Sequence, residues 1–275
     1  MNERGMDGVR MAEPINNGVL ARLPAEERHR MWSYLERVAL PKGKVLYDYG
    51  DVPRYGYFLV GGMASVRAVT EDGDAIQIAT VTRDGFAGLP IVLHTPATSQ
   101  VVMHVPGGGY RVRADAVQRE FRRCGAFHVA VLEQLDRFIT ESACAVLCHR
   151  YHSTRQRFCR WLLATRDGAG MDAIDITQEH VAEMLAVPRT GISSTAASLQ
   201  DRGLIRQRHG RIQILKPRGL EALTCECYSI LRRAGGGDVA PIVAPGRDRP
   251  HRDVAPSSRA VTTLTADTTQ PLHRR

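Results

Sequence analysis

The hydrophobic period of this chain changes once, near residue 115, and that change limits the fold to a strand-rich first part followed by a helical second part. Between residues 42 and 113 apolar and polar positions alternate, as in FLVGGMASVRAV and AIQIATV, which is the pattern of strands with one buried face. Turn signals punctuate the runs. The segment EDGD, with Asp72-Gly73 at its centre, predicts a tight hairpin, and short strands with glycine-rich corners imply an antiparallel sandwich or barrel. Ahead of them, residues 24–38 (PAEERHRMWSYLERV) predict a helix carrying Met31, Leu35 and Val38 at helical spacing.

Beyond residue 115 apolar residues recur at spacings of three and four, first in AVQREFRRC and then along a run from 126 to 148. Phe127, Val131, Leu135, Phe138, Ser142 and Ala145 form one stripe, and Leu132, Ile139 and Val146 widen it. A helix this apolar needs two burial surfaces, so the stripe is a candidate dimer seam; packing on its own sheet alone is the other reading. Residues 153–165 (STRQRFCRWLLAT) open on a Ser/Thr cap and predict a helix burying Phe158, Trp161 and Leu162. RDGAGMDA reads as a loop, and GLIRQRHGRIQIL reads as two short strands around a His209-Gly210 turn.

Charge separates the two parts. Residues 1–149 balance to zero, residues 150–233 carry a net +6, and the remainder carries +2 of the total of +8. A basic block of that kind is a footprint for phosphates, whose neutralisation releases condensed counterions. No apolar run approaches the roughly 18–20 residues of a membrane helix, and the N-terminal residues lack the apolar core of a signal peptide, so a cytoplasmic protein with reduced thiols is expected. There is no phosphate-binding loop, no His-Glu-x-x-His and no nucleophile elbow, which argues against an enzyme.

The chemistry concentrates in ITQEHVAEMLAVPRTGISSTAASLQDRGLI. Thr177 predicts a cap for a first helix with Val181, Ala182, Met184 and Leu185 inward, and Ala186-Val187 is a short link. Pro188 is expected at the first position of a second helix, with Ile192, Ala196 and Leu199 inward. Arg189, Thr190, Ser193 and Ser194 are left outward near its N-terminus, and these side chains hydrogen-bond bases and phosphates. In a helix-turn-helix such residues meet base edges in the major groove, where an arginine grips guanine bidentately. Thr177, Gln178, Arg206, His209 and Arg211 are expected to position the DNA backbone, the last three from a wing. A ligand- or redox-sensing module acting through protein contacts is the competing class.

LPKGKVLYDYGD, YFLVGGMASV, CHRYHSTRQRFCRWLL and the helix-turn-helix segment, in that order, resemble the Crp/Fnr family of bacterial transcription regulators over residues 25–228. The resemblance implies an α+β fold: an N-terminal antiparallel β-roll that is jelly-roll-like, a long dimerisation helix, and a C-terminal winged helix-turn-helix. It also implies a homodimer on a two-fold symmetric DNA site, with RNA polymerase as a further partner and no membrane. The expected divisions are a flexible N-terminus at 1–23, a cyclic-nucleotide-binding-like sensor at 24–125, the dimer helix at 126–150, the DNA-binding domain at 151–230 and a disordered tail at 234–275. By the resemblance Arg189 matches the base-reading arginine and His209-Gly210 the wing. Pro188 and Gly191 fall where backbone-contacting hydroxyls are common. Thr190 and Ser194 stand where Glu and a second Arg are frequent, and Ala186 replaces a frequent turn glycine.

The resemblance also locates a phosphate cassette at GFAGLPIVLHTPATSQVV, where cyclic-AMP binders carry an acid and an arginine. Here Gly88 is followed by Leu89 in the place of the acid, and Thr98, followed by Ser99, stands in the place of the arginine. A buried cyclic phosphate without a cation is costly, so cyclic AMP is not expected as a cofactor. Six cysteines remain. Cys144 and Cys148 share a helix face, with His149, His152 and Cys159 beyond and Cys225-Glu226-Cys227 much later. A metal or redox switch could be built from them. Buried thiols filling helix faces are the commoner explanation, so neither a metal nor an iron–sulfur centre is expected.

Overall fold

In the computed structural model, which describes residues 16–208 and 210–234, the alternating segment forms β1 (Glu36–Leu40), β2 (Val45–Tyr47), β3 (Tyr55–Leu59), β4 (Met63–Val69), β5 (Ala75–Val81), β6 (Phe86–Ala87), β7 (Gln100–Val105) and β8 (Gly107–Arg113). They make two four-stranded antiparallel sheets, ordered β1-β8-β3-β6 and β2-β7-β4-β5. Leu40 and Leu59 of the first meet Ala64, Val66, Val81 and Met103 of the second in one core, which gives the jelly-roll-like sandwich. The β4–β5 hairpin turns through Gly73 at φ +88°. At Gly109 a side chain would collide with the Phe58 carbonyl oxygen at 2.2 Å, so the glycine run keeps β8 close to β3.

The helices before β1 differ from the sequence reading. α1 (Gly18–Ala21) and α2 (Ala25–Trp32) precede the sandwich, and the predicted helix 24–38 ends six residues early, with Val38 inside β1. Val38 alternates with Leu40 against Gly109 and Gly107 of β8, and pairing with a sheet edge outweighs the helical spacing. Residues 17–23 pack against the sandwich. Asn17 caps α1 and donates to the carbonyls of Leu59 and Gly85, while Val19, Leu20 and Leu23 are buried in the core with Phe58 and Phe86. Residues 1–15 and the expected tail from 235 onward lie outside the described residues.

α3 (Leu89–Leu93) lies between β6 and β7, and α4 (Ala114–Arg122) leads into α5 (Ala126–Tyr151). Gly125 offers α5 no side-chain cap; the carboxylate of Glu27 accepts instead from the N–H groups of Ala126 and Phe127 at 3.0 and 3.1 Å. Glu141, which is buried, accepts from the Thr80 N–H at 2.7 Å and from Arg137 at 2.9 Å, fixing which face of α5 meets the sheet. That face corrects the assignment of the dimer stripe. Phe127, Val131 and Ala145 are buried within the chain, Phe138 packs on the sandwich core, Leu135 faces the cavity beneath α3, and the Ser142 hydroxyl donates to its own helix at the Phe138 carbonyl. The outward row is Val129, Leu132, Asp136, Ile139, Ala143, Val146 and Arg150, with Ile139 58% and Val146 69% exposed. Its members recur at an alternating spacing of three and four, the heptad repeat.

α6 (Thr154–Ala169) starts at a capping box in which Ser153 and Gln156 satisfy each other's backbone N–H groups. It runs past the predicted end and stops at Gly170, φ +68°. There follow β9 (Ala173–Asp175), α7 (Gln178–Leu185), α8 (Arg189–Asp201), β10 (Ile205–Arg208), β11 (Arg211–Ile214), α9 (Pro217–Glu221) and α10 (Cys227–Ala234). Part of the expected loop RDGAGMDA is therefore helix and strand: β9 pairs with β11, because Ile174 is needed opposite Ile212 to close the core beneath the wing.

The sandwich and the helical part meet through polar contacts. Trp161 of α6 donates from Nε1 to Gln77 at 3.2 Å, Arg67 of β4 pairs with Glu183 of α7 at 2.7 Å, and Lys42 donates to the Asp175 carbonyl at 3.0 Å. Beside Trp161, with ring centroids 6.1 Å apart, His104 of β7 is buried and hydrogen-bonds Ser65 through Nδ1 at 2.7 Å. Burial, with the positive charge of Lys42, His180 and Arg67, pushes its pKa down to about 3. The unfolded chain binds this proton near pH 6.5 and the native state does not. Stability is thus full above pH 6.5 and falls by about 1.4 kcal/mol per unit as pH drops towards 3. Urea midpoints at pH 7.5 and 5.5 should differ less for His104→Leu than for the unchanged protein.

Candidate nucleic-acid interface and sensor pocket

α7 and α8 are held by one core. Val181, Ala182, Met184 and Leu185 of α7 and Ile192, Ala196 and Leu199 of α8 pack with Phe158, Leu162, Ile205, Ile212 and Leu220. Thr177 is the cap of α7, its hydroxyl accepting from the His180 N–H at 3.3 Å. At the other end of α7, the buried Arg157 donates to the Leu185 carbonyl and, at 2.8 Å, to Nδ1 of His149 on α5. A cation at a helix C-terminus is favourable, and burial together with Arg157 and Arg160 lowers the His149 pKa to about 4, leaving it neutral to accept this bond.

The link between the helices is strained. Ala186 takes the left-handed conformation, φ 44° and ψ 57°, where its N–H reaches back to Ala182 and Glu183. A side chain in that region costs roughly 1 kcal/mol, and glycine is the usual solution. Ala186→Gly should therefore raise unfolding stability by about 0.5–1 kcal/mol, read from urea denaturation with an unchanged slope. Pro188 sits one position earlier than expected: at ψ 139° it is the extended residue before the helix, and Arg189 is the first helical residue. Proline's fixed φ suits either place.

Arg189, Thr190 and Ser194 are exposed on the first turns of α8. Arg189 forms an exposed ion pair with Glu179 of α7 at 3.3 Å, and the Ser194 hydroxyl donates to the Gly191 carbonyl at 3.2 Å. Ser193 is set apart from these three. It is half-buried and donates to Gln178 at 2.5 Å; Gln178 in turn donates to Gln207 at 2.9 Å, whose own N–H donates to Gln200 at 2.8 Å. Ser193 and Gln178 thus join the two helices to the wing. This relay was not read from the sequence, although four polar residues at the meeting point of three elements are its only signal. A side chain at Gly191 would meet nothing nearer than Thr154 at 3.7 Å, so no contact among the described residues demands the glycine. On the wing Arg206, Arg208 and Arg211 are exposed, Arg211 lies 3.5 Å from Asp175, and Gly210 turns at φ +74°. His209 lies outside the described residues.

The expected cassette lines a cavity of about 80 Å3 between the second sheet, α3 and α5. Leu89, Thr98 and Ser99 face it with Tyr47, Val81 and Leu135, and among the described residues its lining holds no carboxylate, imidazole, amine or guanidinium. Small-molecule sites usually enclose about 300 Å3 or more. Gly88 is required by Phe86, whose ring would lie 2.3 Å from a side chain there. Of the cysteines singled out, Cys159 is sealed in the core under α7 and α8, whereas Cys144 and Cys148 pack with Cys225, two residues before α10, and Cys227, its first residue.

Comparison with known proteins agrees with this arrangement. The family model of the cyclic nucleotide-binding domain matches residues 37–124, and that of the Crp-like helix-turn-helix domain matches residues 156–223; together they span more than half of the chain. No curated protein matches it. Among solved structures, a transcriptional regulator of the crp/fnr family from Eubacterium rectale is similar with a TM-score of 0.59 at 15% identity, covering 76% of this chain and 98% of its own. The c-di-GMP responsive global regulator CLP of Xanthomonas campestris has a TM-score of 0.58 at 14% identity, covering 70% and 99%. FixK2 from Bradyrhizobium japonicum has a TM-score of 0.58 at 11% identity, covering 70% and 98%. These likenesses establish the fold, and with a cyclic-nucleotide-binding domain joined in order to a Crp-like helix-turn-helix the chain belongs to the Crp/Fnr family of transcription regulators.

Proposed function

We propose that this regulator binds a two-fold symmetric DNA site as a homodimer, reads bases through Arg189, Thr190 and Ser194, and answers to a signal other than cyclic AMP. The observation that carries the reading is the start of α8: an exposed arginine and two exposed hydroxyls on a domain with net +6, flanked by a wing of exposed arginines. Arg206, Arg208 and Arg211 hold phosphates, and Thr177, Pro188, Gly191 and Gly210 bring backbone groups near them. Ser193 and Gln178 act from behind the surface by fixing the angle of α8. The heptad row on α5 pairs with that of a second copy, which sets the two α8 helices on successive major-groove faces. Promoter-bound dimers then meet RNA polymerase. Among the described residues no helix is long and apolar enough to cross a membrane.

Selection of bound sites from random DNA, followed by anisotropy titration, tests the reading. The selected sites should be inverted repeats, and affinity should fall on the order of 10³-fold between about 50 and 200 mM salt as counterions are released. A salt-independent interaction, or capture of no DNA, would favour a sensor acting through protein contacts. Calorimetric titration with cyclic AMP should give no saturable heat, because the cavity is small and offers the phosphate no cation; tight binding would refute that part.

A further inference from the structure

Four metal-ligating side chains meet where α5 ends. Cys148, in its last turn, and His152, the capping residue just past its end, face Cys225, two residues before α10, and Cys227, its first residue. Their ligand atoms all lie within 4.8 Å of one another. Sγ of Cys148 is 3.7 Å from Sγ of Cys225, and Nδ1 of His152 is 3.5 Å from Cys148 and 3.8 Å from Cys227. A tetrahedron built on metal–sulfur bonds of about 2.3 Å and metal–nitrogen bonds of about 2.0–2.1 Å has sulfur–sulfur edges of roughly 3.8 Å and sulfur–nitrogen edges of roughly 3.6 Å. The geometry points to a tetrahedral zinc(II) site with ligands Cys148, His152, Cys225 and Cys227.

Two features around the ligands support it. The Nε2 of His152 lies 3.3 Å from the carboxylate of Glu226, the carboxylate–histidine–metal arrangement that fixes the ring with Nδ1 towards the metal. Arg160 bears on Cys144 and Cys148 with its positive charge, and its Nε is buried with no hydrogen-bond partner among the described residues. Three thiolates and one divalent ion leave one negative charge, which Arg160 offsets.

Binding replaces thiol protons with the metal, each cysteine thiol releasing its proton to solvent, and no electrons are exchanged. Four protein ligands close the coordination sphere, which is the pattern of a structural rather than a catalytic site. Soft thiolates with an imidazole select zinc over the hard cations, and the ligands stand too close together to surround a polynuclear iron–sulfur cluster. The site would fasten α10 to the end of α5, one residue before Ser153 opens α6. It does not depend on the DNA-binding reading.

The test uses the full chain, purified under reducing conditions, for metal content, then stripped and titrated with cobalt(II). One equivalent of zinc per chain and the intense visible bands of tetrahedral cobalt thiolate are expected. Both should persist in Cys159→Ser and Cys124→Ser and be lost in the Cys225→Ser/Cys227→Ser double variant. Glu226→Gln should retain the spectrum and weaken zinc affinity by about 10- to 100-fold. The cobalt titration of unaltered protein decides the matter even where a variant fails to fold. Absence of the tetrahedral spectrum there, or an undiminished spectrum in the folded double variant, overturns the site, whether or not the protein binds DNA.

Discussion

Ile139→Glu should convert the regulator to a monomer in sedimentation experiments and lower its affinity for a symmetric site by at least about 100-fold. Ile139 stands in the middle of the outward heptad row and is 58% exposed in the single chain, so the substitution leaves the sandwich untouched. In a paired seam the same carboxylate would face its own copy across the axis, and burying like charges costs several kcal/mol. Each half of the dimer then loses the effective concentration its partner provides. Phe127→Ala supplies the contrast. Phe127 is buried against Phe58 and Phe86, so its truncation should cost about 3–5 kcal/mol of folding stability and act on Tm before it acts on assembly. If Ile139→Glu remained dimeric, the second copy would have to use another surface.

Arg189→Ala is expected to cost about 1–3 kcal/mol of DNA binding and to flatten the preference at one base position of each half-site, while reducing the salt dependence little. The ion pair with Glu179 sharpens this expectation. Both partners are about two-thirds exposed, so the pair is worth at most about 1 kcal/mol and yields to a bidentate contact with guanine. Glu179→Gln should accordingly raise affinity for unrelated sequences more than for the selected site, since it removes a carboxylate that also repels phosphates. Equal losses at every sequence for Arg189→Ala would show the arginine gripping the backbone instead.

Local grammar was legible where the signal lies within a few residues. Asp72-Gly73 marked its hairpin, Ser153 and Thr177 their caps, and the inward residues of α7 and α8 followed from spacing alone. The cassette substitutions at Leu89 and Thr98 likewise fall on the cavity wall. What escaped were choices between two surfaces or two distant segments. Periodicity showed that α5 is apolar on two sides but not which side the chain itself would use; that was decided by Glu141 reaching Thr80, 61 residues away. Val38 has helical spacing to Met31 and Leu35 and a strand partner in Gly109, and only the sheet shows which prevails. Cys148 and His152 could be seen as neighbours on a helix. Cys225 lies 77 residues beyond Cys148, and no local pattern couples them.

The placement of the two tryptophans makes the molecule its own optical instrument. Trp32 leans on Tyr110 within the N-terminal part, at a centroid distance of 5.4 Å, and reports on that part alone. Trp161 belongs to the other part but spends its indole N–H on Gln77 and lies beside His104, so its emission reads the joint. Substituting Trp32 by phenylalanine would leave a single tryptophan, and a signal that swings the DNA-binding part away from the sandwich would appear as a red shift as that indole meets water. Ligands could then be screened without labels, before the natural signal is known.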